Sequence, residues 1–381
     1  MKCTGVDAIT GKAIALSFGA VVDAVENVEG ARGELHLAPG FIDLQVNGFA
    51  GVDYNSPATP IEEVGRSLRA LFASGVTRFF PTIITGSPEG MAGALSNMST
   101  ARERLPEGAA IEGFHVEGPH ISPEDGARGA HPRRWVRRPD IHELHRMQDA
   151  ARGLIRIVTL SPEWPEAPRY IEAAVREGIV ASIGHTSATA EQIATAISAG
   201  ATMSTHLGNG AHAMLPRHPN YIYEQLAEDR LTAGLIGDGI HLPKCFLKVA
   251  LRAKGISRSM LVTDATIAAG AAPGRYRFGE LEIELKPEGR VVIAGTNALA
   301  GSALQMHHGV ANLMRLCGLS LSDAVATATL NPARAARIAG REAGLQPGQR
   351  GDIVEFRFNA EAPRLEIERT YLSGALVYQR G

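Results

Sequence analysis

Residues 201–220 read ATMSTHLGNGAHAMLPRHPN. The run over 201–204 is short, apolar and β-branched, and a polar, glycine-rich segment follows it. This pattern is typical of a β-strand that leads into a functional loop. His206 would then lie at the carboxyl end of that strand, where a barrel of parallel strands carries its chemistry.

The loop after His206 favours an anionic ligand. Gly208 and Gly210 flank Asn209 and have no side chains to cover the neighbouring backbone N–H groups, an arrangement that suits an anion. Arg217 adds a permanent charge with a forked set of donors, which fits phosphate or carboxylate.

The alternation of apolar strands and helical stretches extends along most of the chain and indicates repeated βα units with a parallel sheet. Eight strands are predicted: Ile42–Val46, Arg78–Ile84, Ile111–Glu117, Ile155–Leu160, Ile179–His185, Ala201–His206, Thr232–Asp238 and Met260–Asp264. The predicted helices include Ile61–Ala73, Ala167–Arg176, Ala190–Ser198 and Pro243–Ala253. Eight units over residues 42–339 predict a closed (β/α)8 TIM barrel rather than an open doubly wound sheet.

The two ends of the chain predict a second, smaller unit. Residues 1–41 are short, alternating and broken by glycine, and residues 340–381 contain the strand-like runs Ile353–Phe358 and Leu365–Tyr378. Neither end can bury a core alone, so both are expected to pair in one small β-sandwich domain. Residues 276–294 predict a hairpin inserted after the eighth barrel strand.

Composition narrows the function classes. The 381 residues are 45% hydrophobic, which supports a substantial core, and the formal net charge is −2. That charge gives no bulk attraction to nucleic acid or to an anionic membrane, so neither is an expected partner. Three cysteines without metal-site spacing favour a reducing compartment, and we expect a cytoplasmic protein because no run of 18 apolar residues occurs.

Several predicted strands end in side chains that bind metals or transfer protons. Glu117, His185, His206 and Asp264 each lie at or next to such an end. One strand-end histidine is weak evidence, because it is more often a structural residue. Together, one carboxylate and two imidazoles can hold a divalent ion such as Zn²⁺ and leave a position open for water. Asp264 could then take a proton from that water and return it to a leaving group.

Short motifs in order along nearly the whole chain resemble those of the amidohydrolase superfamily, and within it the N-acetylglucosamine-6-phosphate deacetylases. They are Pro39–Gly48, His115–Pro119, Gly184–Thr186, Thr205–Asn209, Asp238–His241, Val262–Ala265 and Leu299–Ser302. The resemblance implies a metal-dependent hydrolase of amino sugar metabolism.

The first motif bears on the number of metal ions. Most amidohydrolases carry a His-x-His pair where this chain has Gln45 and Asn47, and amides are poor ligands for such ions. The resemblance therefore implies one ion per subunit, held by Glu117, His185 and His206. Zinc is the first choice, and iron, manganese and cobalt accept the same ligands. We assign Gln45 and Asn47 to substrate binding.

The resemblance also implies roles for residues around the substrate. His131 would lie near the acetyl carbonyl group and help to polarise it, while the catalytic Asp264 transfers the proton. His241 would contact sugar hydroxyls or the phosphate. Asn209, Gly210 and Arg217 would bind the phosphate, with the arginine reaching across from the neighbouring subunit of a homodimer.

Residues 208–212 depart from the family pattern. They read GNGAH, whereas the relatives usually have an aromatic residue before the Asn and Ala-Met after it. The leading function is deacetylation of N-acetyl-D-glucosamine 6-phosphate. The alternatives are N-acetylgalactosamine 6-phosphate, an unphosphorylated sugar or an N-acyl amino acid as substrate, and a catalytically dead sugar-phosphate-binding protein. A protein that only binds the sugar phosphate would not need a proton acceptor facing the metal.

Overall fold

The structure of the protein is a computed structural model, described for residues 1–29 and 35–381. The described residues form twenty strands and ten α-helices. The strands are β1 (Lys2–Asp7), β2 (Ala13–Phe18), β3 (Val22–Asn27), β4 (Leu35–Pro39), β5 (Phe41–Val46), β6 (Gly48–Phe49), β7 (Val52–Asp53), β8 (Val76–Ile84), β9 (Phe114–Glu117), β10 (Ile155–Leu160), β11 (Val180–Ile183), β12 (Met203–Ser204), β13 (Thr232–Ile236), β14 (Ser259–Val262), β15 (Gly274–Phe278), β16 (Leu281–Leu285), β17 (Val291–Ile293), β18 (Ile353–Asn359), β19 (Arg364–Leu372) and β20 (Ala375–Gln379). The helices are α1 (Ile61–Phe72), α2 (Pro88–Arg104), α3 (Ile141–Ala150), α4 (Ala167–Arg176), α5 (Ala190–Ser198), α6 (Tyr221–Ala227), α7 (Lys244–Lys254), α8 (Met306–Cys317), α9 (Leu321–Thr327) and α10 (Leu330–Ala335).

Eight parallel strands form the barrel, in the order β5-β8-β9-β10-β11-β12-β13-β14. A parallel bridge between Val46 and Ala265 joins the two ends of this order and closes the sheet. Apolar side chains such as Leu44, Phe80 and Val180 fill the interior, as in other barrels of this size. The predicted (β/α)8 barrel is confirmed.

The local sequence explains the helices around the barrel. Thr189 caps helix α5: its hydroxyl accepts from the backbone of Gln192, while the Gln192 side chain accepts from the backbone of Thr189. This capping box satisfies two N–H groups that the helix cannot pair itself. Helices α4 and α5 have the predicted bounds, α1 ends one residue before its prediction, and α7 is shifted by one residue at both ends.

The two chain ends form one seven-stranded sheet, in the order β20-β19-β18-β4-β1-β2-β3. The predicted small β domain from both termini is thus present, and its strands share one hydrogen-bonded sheet. The predicted run Leu365–Tyr378 is divided into β19 and β20 by a turn at Ser373 and Gly374, both with positive φ. Residues 30–34 of the predicted segment 1–41 lie outside the described residues, and the domain boundaries stay predictions.

A buried ionic cluster connects this sheet to the barrel. Asp352, with a fully buried side chain, accepts from Arg78 Nε at 2.8 Å and from Arg341 Nη1 at 2.6 Å. The backbone N–H of Ser373 also donates to Asp352, at 2.7 Å. Buried charges need such partners, since an unpaired one is costly.

The hairpin predicted at 276–294 is a three-stranded sheet, β15-β16-β17. Phe278, Leu281 and Ile293 of this insertion line the cavity at the carboxyl end of the barrel. The insertion therefore covers part of the barrel opening. Within the described residues, no helix is both long enough and apolar enough to cross a membrane.

Candidate active site

A cavity of about 530 Å³ lies at the carboxyl ends of the barrel strands. Its lining residues include Glu117, His131, His185, His206 and Asp264, which belong to different βα loops or strand ends. The catalytic end of the barrel therefore brings together the acid, base and imidazole side chains singled out in the sequence.

Glu117, His185 and His206 form a compact buried cluster. Glu117 Oε1 lies 2.8 Å from His206 Nε2 and 3.1 Å from His185 Nε2, and the two Nε2 atoms are 3.0 Å apart. Ligands about 2.1 Å from a tetrahedral ion lie roughly 3.4 Å from one another. The three side chains therefore fit one divalent ion with small adjustments.

Contacts behind the cluster orient its members. His185 Nδ1 lies 3.0 Å from the carbonyl oxygen of Ala127, so Nδ1 donates and Nε2 keeps its lone pair for an ion. Gln45 Nε2 donates to Glu117 Oε2 at 3.0 Å, which leaves Oε1 directed at the histidines. The two histidines lower the pKa of Glu117 well below its usual value despite its burial. The carboxylate is therefore charged, as a metal ligand must be.

Three residues of the site have left-handed backbone conformations, although none of them is glycine. The φ angles are 48° at His185, 27° at His206 and 51° at Asp264. Such strain at single residues persists only where the surroundings enforce it, and it is common at functional sites. Backbone hydrogen bonds hold each carbonyl group, from Ser122 N to His185, Asn209 N to His206, and Ser302 N to Asp264.

Asp264 lines the same cavity as the cluster. Asn47 Nδ2 donates to Asp264 Oδ1 at 2.8 Å. Burial and the charge of Glu117 together raise the pKa of Asp264 to about 6, against the opposing effects of His206 and His241. A general base works best with a pKa near the working pH.

Asp43 supports Asp264 from inside the barrel and was not singled out by the sequence. The backbone N–H and the hydroxyl of Thr263 donate to the two carboxylate oxygens of Asp43, at 3.2 and 2.5 Å. Burial raises the pKa of Asp43 to about 7. The available signal was an acidic residue within the otherwise apolar run of β5, since a buried carboxylate usually has a specific partner.

The other two predicted histidines also line the cavity. The ring centroid of His131 lies 4.4 Å from that of His185, and Thr85 Oγ1 lies 2.8 Å from His131 Nδ1. Burial and the neighbouring His185 lower the pKa of His131 well below its usual value, so its ring is neutral. His241 Nδ1 lies 2.6 Å from Asp238 Oδ2.

The predicted substrate-binding residues divide into two groups. Asn47, Asn209 and Gly210 line the cavity together with His241. Gln45 lies behind Glu117, outside the lining residues, and its substrate role stays a prediction. Arg217 is exposed and does not line the cavity of its own chain.

His212, within the segment that departs from the family pattern, has partners inside this chain. Its Nδ1 lies 3.0 Å from the Tyr221 hydroxyl, and its Nε2 lies 3.1 Å from Glu124 Oε2. The segment is thereby tied to the start of α6 and to the loop after β9.

The sequence was compared with known proteins. Residues 36–377 match the model of the amidohydrolase family. The chain belongs to the amidohydrolase family. It is 37% identical over 360 residues to the N-acetylglucosamine-6-phosphate deacetylase of Bos taurus, covering 90% of this chain and 83% of that protein. It is 31% identical over 341 residues to the N-acetylgalactosamine-6-phosphate deacetylase of Escherichia coli O157:H7, covering 89% and 87%.

Solved structures agree with this assignment. A mutant of the N-acetyl-D-glucosamine-6-phosphate deacetylase from Mycobacterium smegmatis, in complex with N-acetyl-D-glucosamine-6-phosphate, matches with a TM-score of 0.89 and 30% identity. The match covers 99% of this chain and 98% of that one. Within the amidohydrolase family, this chain groups with the N-acetylglucosamine-6-phosphate deacetylases.

Proposed function

We propose that this protein hydrolyses N-acetyl-D-glucosamine 6-phosphate to D-glucosamine 6-phosphate and acetate. The observation that carries the proposal is the convergence of Glu117, His185 and His206 with Asp264 in one cavity. A protein that only binds a sugar phosphate needs no buried proton acceptor facing three metal ligands. The relatives named for this activity support the choice of substrate.

Glu117, His185 and His206 would hold one divalent ion. Such an ion supplies a Lewis acid and lowers the pKa of a water molecule. Zinc suits this donor set, and iron, manganese or cobalt would also be accepted. Gln45 and Asn47 replace a second pair of histidine ligands, so one ion per chain is the proposed content.

Asp264 and His131 would act on the substrate itself. Asp264 takes a proton from the attacking water, whose oxygen forms the new bond to the acetyl carbon. His131, held by Thr85, donates a hydrogen bond to the carbonyl oxygen as negative charge develops there. Asp264 then delivers its proton to the amide nitrogen, the C–N bond breaks, and the free amine leaves with acetic acid, which releases its remaining proton to become acetate.

The phosphate needs a positive charge that the cavity of one chain does not provide. Within the described part of the chain, the cavity lining contains neither arginine nor lysine. We assign this charge to Arg217 of a second copy in a homodimer. Near Arg217 in the sequence, Met214 is 89% exposed and Tyr223 is 53% exposed, and a second copy would cover such large apolar side chains.

Mixing two inactive variants tests the shared site. Arg217→Ala and Asp264→Asn proteins are combined under conditions that exchange subunits. If Arg217 acts across the interface, the mixed dimer contains one complete site and activity on the phosphorylated sugar reappears. Demonstrated subunit exchange without recovery would reject this assignment. A monomer in solution would reject it as well.

Acetate release from a panel of N-acetyl compounds tests the substrate. The panel contains N-acetylglucosamine 6-phosphate, its galactosamine epimer, both unphosphorylated sugars and an N-acetyl amino acid. We expect the highest kcat/KM for N-acetylglucosamine 6-phosphate. The epimer is the second candidate because a relative with 31% identity is named for it. Binding of the sugar phosphate without any turnover would support the dead-site alternative.

We further propose a reducing location such as the cytoplasm. Cys3, Cys245 and Cys317 are all free thiols, and free thiols persist where disulfides are reduced. Detection of the protein in the cytoplasmic fraction of its source cells would support the proposal.

A further inference from the structure

The loops after β9, β10 and β11 meet at the carboxylate of Glu163. Ser122 Oγ donates to Glu163 Oε1 at 3.0 Å. Glu163 Oε2 accepts from Ser161 Oγ at 2.7 Å and from Ser187 twice, at 3.0 Å from the backbone N–H and at 2.8 Å from the hydroxyl. One side chain thus links three successive βα loops.

These bonds lie on both sides of His185. Ser187 follows His185 by two residues, and Ser122 N donates to the carbonyl oxygen of His185 at 2.8 Å. Glu163 therefore holds Ser122, whose backbone N–H binds the His185 carbonyl group, and it also holds Ser187 in the turn after His185. Between these two attachments, His185 has its left-handed φ of 48°.

The partners of the Glu163 carboxylate are these hydrogen-bond donors. None of the ion pairs in the described part of the chain includes Glu163, whereas four N–H or O–H groups donate to it. Hydrogen bonds to an ionised acceptor are stronger and shorter than neutral ones. The link between the loops is consequently stronger than serine hydroxyls alone would make it.

We propose that Glu163 is a positioning residue that fixes His185 for metal binding. This inference rests on the proposed metal site of Glu117, His185 and His206. Without the carboxylate, the turn at Ser187 loses its acceptor and the strained backbone of His185 is free to relax. The imidazole then turns away from Glu117, and a metal site tolerates only small errors in ligand placement.

Metal binding is measured in Glu163→Ala, Glu163→Gln and the control Glu166→Gln. Glu166 pairs with Arg138 at the surface, at 3.0 Å, and takes no part in the cluster. The dissociation constant is obtained by competition with a chromophoric chelator, and the visible spectrum of the cobalt(II) form reports the ligand geometry. The melting temperature of the metal-free protein is recorded in parallel.

We expect Glu163→Ala to weaken metal binding by about 10- to 100-fold and to change the cobalt(II) spectrum, as observed for residues that orient ligands. Glu163→Gln keeps the length and one acceptor oxygen, so it should restore most of the affinity. Glu166→Gln should match the unmodified protein in both measurements.

An unchanged dissociation constant and cobalt(II) spectrum in Glu163→Ala would overturn the proposal, whatever happens to the melting temperature. If that variant does not fold, Ser187→Ala decides, because it removes one of the two Ser187 donors to Glu163: a weaker affinity with a changed cobalt(II) spectrum supports the proposal, and an unmodified affinity and spectrum reject it. Metal binding that survives His206→Ala would instead refute the metal site and the proposed function. That result is distinct from a failure of the Glu163 variants alone.

Discussion

Asn47 should set the pH at which Asp264 becomes active. Its amide donates to Asp264 Oδ1 at 2.8 Å, and the Asn47 side chain is buried. A hydrogen bond to a charged group contributes about 1.5–3 kcal/mol, which corresponds to roughly 1–2 pKa units. Asn47→Ala removes a donor that stabilises the ionised carboxylate, so the pKa of Asp264, already raised to about 6 by burial, should rise further.

The direction of the activity change follows from the role of Asp264. Only the ionised carboxylate accepts a proton, so kcat/KM falls as the pH drops below its pKa. In Asn47→Ala this acidic limb should move to higher pH by about 1–2 units. At alkaline pH, where Asp264 is ionised in both proteins, the two rates should approach each other.

Initial rates of acetate release over a series of pH values measure this shift. Asn97→Ala is the matched control, because Asn97 Nδ2 donates to a backbone carbonyl, that of Thr59, and Asn97 does not line the cavity. An acidic limb that stays in place would refute the reasoning. A fall in kcat/KM of equal size at every pH would mean that Asn47 contributes to substrate binding and not to the ionisation of Asp264.

Three other predictions concern metal content and stability. Elemental analysis should find about one tightly bound metal ion per chain in the unmodified protein. His206→Ala should bind none, and His307→Ala should bind as much as the unmodified protein. Two tightly bound ions per chain would contradict the proposed single site. In urea unfolding, Asp352→Asn should cost about 3–5 kcal/mol because it takes the carboxylate partner from the buried Arg341, whereas removal of the exposed Asp125, which pairs with Arg128, should change the stability far less. Burial lowers the pKa of His120 to about 4. Between about pH 6.5 and pH 4 the unfolded chain therefore binds a proton at His120 that the folded chain does not, and the free energy of unfolding falls as the pH drops. His120→Gln should make this fall shallower. An unchanged slope of the free energy of unfolding against pH would contradict the prediction.

The barrel could be predicted because its signal is local and repeated. Each strand is an apolar, β-branched run of a few residues, and Ile155–Leu160 was predicted with the bounds that β10 has. The fifth and sixth barrel strands, β11 and β12, were predicted to extend to His185 and His206, and both end earlier. Both residues have positive φ, which ends the ladder before the ligand. The residue type does not predict this positive φ, since histidine prefers a negative φ.

The partners of the site residues could not be predicted from spacing. Gln45 donates to a carboxylate 72 positions away, and Asn47 to one 217 positions away. The sequence shows that these residues are amides in place of histidines, and only the closed barrel shows which carboxylate each amide contacts. Glu163 was missed for the same reason, because its donors come from three separate loops.

Turnover and bound metal, measured in one preparation of Asp264→Asn, decide between proton transfer and metal binding for Asp264. The amide keeps the size of the side chain and loses its basicity. We expect about one ion per chain to remain bound, while the rate of acetate release from N-acetylglucosamine 6-phosphate falls by roughly 10²- to 10⁴-fold. Loss of the ion, with activity restored by added metal, would make Asp264 a ligand and contradict its assigned role.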